Sequence, residues 1–417
     1  MSLATPVPRL GRRPTHRPRA PRALSPPPLV IYLDCNATTR PRPEVVQALL
    51  PYLGERFGNA SSVHRRGQAA KAALEAARES VGRALGAEHG RELVFTSGGT
   101  EGDVLALRGA LRARPERRHV IVSTIEHEAV LNTARALAAE GCEVDFAPVD
   151  ANGVVRLDVL QRMLRPDTCI VSVMWANNET GVVQPIAKIG ELARSVGALF
   201  HTDAVQALGK LPLRVRELPL DLLSVSAHKV EGPQGVGALW IRTAVSWLAP
   251  IQGGGQERGR RPGTHNLAGI VGFARACDLA LAELAEKAPR WAALRDRLER
   301  GLQRELAGVT VHGASVERVS NTSFVSFAGV DGEAVLMLLD EHGICVSTGS
   351  ACTAGDDAPS HVLLAAGVSE ALARASVRFS LGRETTAEQI DETIERTVEI
   401  VAHLRALAPP GLEVLTP

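Results

Sequence analysis

From about residue 68 onward, short apolar runs alternate with helically spaced apolar positions. Strand-like runs recur at Leu93–Thr96, Val120–Ser123, Cys169–Met174, Ala198–His201, Leu222–Ser226 and Val236–Ile241. Most are apolar at consecutive positions, the pattern of strands buried on both faces. Helical stretches separate several of them, such as Gln68–Leu85, Ala-rich with Gly86 as a stop, and Ile186–Val196. Strand–helix alternation of this kind predicts a mostly parallel sheet covered by helices. A long helical region then runs from near Phe273 to about Leu306. Beyond it, Thr322–Phe327, Ile344–Val346 and Ser376–Phe379 read as strands and Ala387 to about Leu407 as a helix. The expected fold is α/β, with a large domain over 29–265 and a linking helix plus small α+β domain over 266–417. Segment 29–60 is expected to pack on the small domain.

Residues 1–28 break the pattern: eight prolines and six arginines, with no acidic residue before Asp34. Such a composition cannot supply a core and reads as a disordered arm, with a transit peptide and a misplaced start as the alternatives. The remaining chain of this 417-residue protein is ordinary, 45% hydrophobic and 22% charged with a net charge of +1. Near-neutral charge and few aromatics (Phe 8, Trp 4, Tyr 2) argue against nucleic-acid binding. No apolar run approaches the roughly 20 residues of a membrane span, and a cytoplasmic location is expected. The six cysteines contain no Cys-x-x-Cys pair, which disfavours a disulfide scaffold or a zinc site, and no resident metal is expected.

In open α/β sheets, ligands sit beyond the carboxyl ends of the strands. Leu93–Thr96 leads into Ser97-Gly98-Gly99-Thr100-Glu101 and a helical pattern. Two glycines and a helix start suit a phosphate, though the Walker and dinucleotide spacings are absent and, taken alone, a plain turn capped by Thr100 is the more ordinary reading. Glu126-His127 follow Val120–Ser123, where a structural histidine is the ordinary reading. Asn177-Asn178-Glu179-Thr180-Gly181 follow Cys169–Met174, as a turn or as ligand contacts. Asp203 and Gln206 follow Ala198–His201; a carboxylate there serves a metal, a protonated ring nitrogen or a helix cap. Ala227-His228-Lys229 follow Leu222–Ser226, and a lysine just past a buried strand suits Schiff-base chemistry, an exposed loop lysine being the alternative. Jointly, a phosphate cradle, an acid for a ring nitrogen, a Schiff-base lysine and a flat imidazole match the needs of pyridoxal phosphate.

The chain is similar to the cysteine desulfurases, fold-type I pyridoxal-phosphate enzymes of the class V aminotransferase group, from about Ile31 to Leu407. Beside the segments above, the likeness rests on Asn36-Ala37-Thr38-Thr39, His201-Thr202-Asp203, Gly253–Arg258, Arg261–Thr264, Ser347–Thr353 and Arg378–Arg383. The resemblance implies a seven-stranded-type sheet and pyridoxal 5'-phosphate bound to Lys229. Asp203 would meet the pyridinium nitrogen, and His127 would stack on the ring and move protons. Asn178 and Gln206 would lie at the 3-oxygen side, and Gly99, Thr100, Ser226 and His228 at the phosphate. Thr264 would reach the phosphate of the neighbouring subunit in a homodimer. Arg378 would clamp the carboxylate of L-cysteine, with Asn36 and Asn178 helping to position the substrate.

Cys352 stands in the small-residue, glycine-flanked stretch Ser347–Asp357, and the resemblance makes it the sulfur acceptor. The loop holds no Lys, Arg or His, and Asp356 and Asp357 oppose ionisation, so thiol activation has to come from elsewhere. The implied reaction converts L-cysteine to L-alanine and leaves a persulfide on Cys352. The sulfur then passes to an iron–sulfur scaffold or another acceptor protein, for cluster assembly or thio-modification, and Cys352 is a candidate for transiently sharing a cluster with that scaffold. The long loop resembles the iron–sulfur and nitrogenase branch. Selenocysteine lyase of the same fold and a class V aminotransferase are the rival readings. Ala227, Glu231, Gly102, Val104 and Cys35 depart from the commonest pattern, and Glu231 adds charge near Lys229.

Overall fold

Successive residues of a strand point to opposite faces, so a run that is apolar throughout has to be covered on both. The computed structural model describes residues 30–349 and 358–407; the arm read over 1–28 and Cys352 lie outside the described residues. Its twelve strands are, in chain order, β1 (Ile31–Tyr32), β2 (Leu93–Thr96), β3 (His119–Ser123), β4 (Glu143–Ala147), β5 (Thr168–Ser172), β6 (Leu199–Asp203), β7 (Leu222–Ser226), β8 (Gly237–Ile241), β9 (Val309–Val311), β10 (Thr322–Phe327), β11 (Ile344–Cys345) and β12 (Ser376–Ser380). Seven of them form one sheet in the order β2-β8-β7-β6-β5-β3-β4. β8 alone is reversed, pairing antiparallel with both β2 and β7; the remaining pairs are parallel. Val94, Val120, Ile170, Leu199, Leu222 and Leu239 are buried on one face, and their neighbours Phe95, Ile121, Val171, Phe200, Leu223 and Trp240 on the other.

The edge strand β4 escapes the apolar pattern because Glu143, Asp145 and Phe146 are exposed. Charges there discourage pairing with a further strand. The linking helix begins earlier than its apolar spacing suggests, at Leu267, because Asn266 caps it by accepting from the Gly269 amide at 3.1 Å. At 1.5 Å per residue, its 39 residues span about 58 Å. Leu267, Ile270, Phe273 and Cys277 pack beneath the large sheet. Trp291, Leu294, Leu298 and Leu302 pack in a second core with Val325, Phe327, Val377 and Phe379 of the antiparallel sheet β12-β10-β9.

β1 runs parallel to β11, and Ile31 and Leu33 are buried in that second core. The Cys35 amide donates to the Ser380 carbonyl at 3.1 Å. These contacts hold the chain so that Asn36 arrives at the carboxyl ends of the large sheet. Among the described residues, no helix is long and apolar enough to cross a membrane.

Candidate active site

The parallel strands β3, β5, β6 and β7 all end at one side of the sheet, where a cavity of about 290 Å³ opens. Its walls include Gly99 and Thr100 after β2, His127 after β3, Asn178 after β5, Asp203 and Gln206 at and after β6, and Ser226, His228 and Lys229 after β7. Asn36 and Arg378 close it from the second core. Of the residues singled out in the sequence, Thr264 is exposed and not on this cavity, and Cys352 is outside the described residues. A larger groove of about 620 Å³ lies by Arg78, Glu257 and His265 and shares no lining residue with the cavity.

Lys229 ends a single helical turn, Ala227–Lys229. Its Nζ donates to the backbone carbonyls of Asn36 at 2.5 Å and Ala37 at 2.7 Å. The neighbouring His228 is held by its carbonyl, which accepts from Thr39 Oγ1 at 2.7 Å. Burial, aided by the charge of Lys229, pushes the His228 imidazole down to about 4, so it is neutral at pH 7. His127 caps the helix Glu128–Ala139, its Nδ1 accepting from the Ala129 amide at 3.1 Å. That bond leaves Nε2 as the nitrogen that carries the imidazole proton.

Asp203 closes β6 with Oδ1 accepting from the Val205 amide at 2.8 Å. Burial raises its carboxyl, against the opposing charges of His127 and Lys229. Beneath it, His201 bonds Ser172 Oγ at 2.8 Å and Ser224 Oγ at 2.9 Å, and burial pushes it down to about 3. Asp103 lies with Oδ1 at 3.6 Å from His201 Nε2 and without a hydrogen bond at that oxygen. Burial and then the charge of Asp203 hold Asp103 well above the carboxylate range. Glu126 accepts from Ser123 Oγ and from the Met174 amide, and burial pushes it up to about 8.

Arg378, flagged by its flanking apolar positions, is 4% exposed in β12. Its Nη2 donates to Asp34 Oδ1 at 2.8 Å and its Nη1 to the Asn178 carbonyl at 3.1 Å, while Nε is buried without a partner. Of the two adjacent amides, Asn177 is structural: its Oδ1 accepts from the Glu179 and Thr180 amides at 3.0 and 2.9 Å. Asn36 is the hub, its Nδ2 donating to the Asn178 carbonyl at 3.1 Å and to Thr322 Oγ1 at 2.9 Å. Asp34, Asp103 and Lys210 went unnoticed in the sequence. Lys210 carried one cue, its position four residues after Gln206.

Residues 31–393 match the family described as Aminotransferase class-V. A cysteine desulfurase of Cereibacter sphaeroides is 50% identical over 384 residues, 92% of this chain and 98% of that protein. The cysteine desulfurase NifS of Azotobacter vinelandii is 46% identical over 379 residues, 91% of this chain and 94% of that protein. A solved NifS-like protein superposes with a TM-score of 0.85 at 38% identity, over 90% of this chain and 100% of that one. The chain belongs to the aminotransferase class-V family.

Class-V aminotransferases and cysteine desulfurases depend on pyridoxal phosphate, and the cavity fits that group. Ser226 Oγ is buried without a partner beside the start of the helix Gly99–Ala113, where free amides favour an anion. A side chain at Gly99 would come within 2.7 Å of Val205 Cγ2, so glycine keeps this cradle open. The buried acid, the lysine and the imidazole that such a ring requires face the same space.

Proposed function

We propose that this class-V family member is a cysteine desulfurase in which Lys229 carries pyridoxal phosphate, Arg378 binds the substrate carboxylate and Cys352 takes the sulfur. The observation that supports it most is the convergence of Lys229, Asp203, His127, Ser226 and Arg378 on one cavity from four separate segments. When bound, the cofactor supplies an electron sink conjugated to the substrate α-carbon. Gly99, Thr100, Ser226 and His228 would hold its phosphate, and Asn178 and Gln206 would attend its ring oxygen. Asp203 would supply the acid for its ring nitrogen.

Arg378 offers its unpaired Nε together with Nη atoms already braced by Asp34 and Asn178, so the carboxylate meets a guanidinium fixed in place. Lys229 Nζ takes the α-proton and returns it, and His127 Nε2 serves proton transfers on the ring face. Cys352, as thiolate, attacks the substrate sulfur. The new S–S bond forms as the Cβ–Sγ bond breaks, its electron pair is protonated at Cβ, and the products are L-alanine and a Cys352 persulfide.

Thr264 is read as serving the active site of a second copy of the chain. The support is that its loop is exposed yet anchored, with Arg261 Nε 2.7 Å from Glu101 Oε1 on the helix that starts at the cradle. The domain division at 265/266, a cytoplasmic location and delivery of sulfur to an iron–sulfur scaffold are part of the same reading. Purified protein incubated with L-cysteine and with L-selenocysteine is expected to release alanine from cysteine. Cys352→Ala is expected to lose sulfide release while keeping the bound chromophore, and Lys229→Ala to lose the chromophore. Normal desulfuration by Cys352→Ala refutes the nucleophile, and turnover of selenocysteine alone favours the lyase.

A further inference from the structure

Lys210 is a lysine without a carboxylate. It is 6% exposed, and its Nζ donates to Asn36 Oδ1 at 2.8 Å and to Gln206 Oε1 at 2.5 Å, two neutral amide oxygens. No salt bridge reaches it among the described residues. Charge buried against amides alone is costly, and burial, reinforced by the charge of Lys229, brings Lys210 down to about 7. It lies off the reactive cavity, on a small neighbouring void of about 30 Å³ that shares Lys229 with it.

We propose that Lys210 is a positioning residue that sets the polarity of the Asn36 and Gln206 side-chain amides and so presents the NH2 group of Gln206, rather than its carbonyl, to the cofactor. The inference rests on the reading of the cavity as a pyridoxal-phosphate site. As an ammonium Lys210 has donors only, and its Nζ donates to both side chains. Both amides therefore turn their oxygens toward Lys210. For Gln206 this leaves Nε2 to donate to the Asn36 carbonyl at 3.0 Å, with its second hydrogen available to the cavity that Gln206 lines. A flipped amide would set NH2 against the lysine and a carbonyl oxygen against the Asn36 carbonyl.

The same logic holds at Asn36. Its Oδ1 accepts from Lys210 and, at 3.3 Å, from Asn321 Nδ2. Its Nδ2 is thereby committed to Thr322 and to the Asn178 carbonyl, the atom that also braces Arg378. The Asn36 carbonyl accepts from both Gln206 Nε2 and Lys229 Nζ. One buried lysine thus orders the donors around an electronegative ring oxygen and the brace of the carboxylate-binding arginine.

The test compares cofactor binding by reloaded apoprotein of the wild type, Lys210→Met, Gln206→Leu and the double variant, with far-UV circular dichroism as the fold control. Lys210→Met is expected to raise the pyridoxal-phosphate dissociation constant about tenfold, the scale of one buried acceptor left unpaired, and to shift the visible band of the bound cofactor. In the Gln206→Leu background the same change is expected to cost less than about threefold, because the amide that faces the cofactor is no longer there to be oriented. Unchanged affinity and band in Lys210→Met, or equal losses in both backgrounds, overturns the proposal. If Lys210→Met does not fold, Lys210→Leu takes its place, and an unchanged affinity there overturns it as well. Wild-type protein that takes up no cofactor overturns the functional reading and this inference with it, whereas failure of the variants alone leaves the functional reading standing.

Discussion

Glu257→Gln tests whether the segment leading to Thr264 is held by a buried charge. Glu257 is 5% exposed and accepts from Arg78 Nη1 and Nη2 at 2.7 Å each, from the Phe95 amide at 3.0 Å and from His265 Nε2 at 2.7 Å. Burial alone would raise its carboxyl. The hydrogen bonds from His265 and Arg78 and the charge of Arg78 prevail, and hold it at about 2 against an ordinary 4.5. At about 1.36 kcal/mol per pKa unit, the charged form contributes about 3 kcal/mol, in line with the cost of breaking a buried pair from one side. Glutamine keeps the shape and one acceptor oxygen but leaves the Arg78 guanidinium, 4% exposed, with only the half-exposed Glu75 as counter-charge. For a body of this size, 3 kcal/mol corresponds to a fall in Tm of about 4 °C.

Because the folded-state value is depressed, this stability is present above about pH 4.5 and is lost as the pH falls through about 2. The difference between wild type and variant, followed by thermal unfolding from pH 7 down to pH 3, is therefore expected to be largest at neutrality and to shrink on acidification. A difference below 1 °C at pH 7, or one that does not change with pH, refutes the reasoning.

Two further outcomes follow from the buried charges. Arg378→Ala is expected to lower kcat/KM for L-cysteine on the order of 100-fold, mainly through KM, since a bond to a charged group is worth about 1.5–3 kcal/mol; an unchanged KM in steady-state assays argues against the carboxylate clamp. Glu126 has a raised carboxyl, so the folded protein loses stability as the pH rises from about 4.5 to about 8. Glu126→Gln removes that penalty while keeping an acceptor for Met174, and its Tm advantage over the wild type is expected to grow between pH 5 and pH 8; a constant or negative difference counts against it.

Much of the two sheets was legible because burial on both faces writes itself as uninterrupted apolar runs: β2 and β7 of the large sheet and β10 of the small one coincide with the runs Leu93–Thr96, Leu222–Ser226 and Thr322–Phe327. β4 was not, since an exposed edge imposes no such pattern. The site residues stood out for a topological reason, as parallel strands deliver all their carboxyl ends to one side and a polar residue after each is delivered there too. Lys210, Asp34 and Asp103 escaped because their roles arise from pairings between remote segments. Lys210 and Asn36 lie 174 positions apart, and Arg378 and Asp34 lie 344 apart. No local spacing encodes such a pair, and a lone lysine in a leucine-flanked stretch reads as surface until its surroundings are known.

Three buried acids lie at or beside the cavity: Asp103 and Asp203 line it, and Glu126 directly precedes His127 of its wall. Asp103, Glu126 and Asp203 are each raised by burial, and the charge of Asp203 raises the other two further. Of the three, Asp203 is the one whose rise is opposed by His127 and Lys229. The neutral His201 between two serine hydroxyls supplies no charge to Asp103. Burial and the charge of Asp203 thus favour the protonated forms of Asp103 and Glu126, while the rise at Asp203, the acid read as facing a protonated ring nitrogen, is opposed. A permanently cationic side chain in place of His201 would oppose the rise at Asp103 as well.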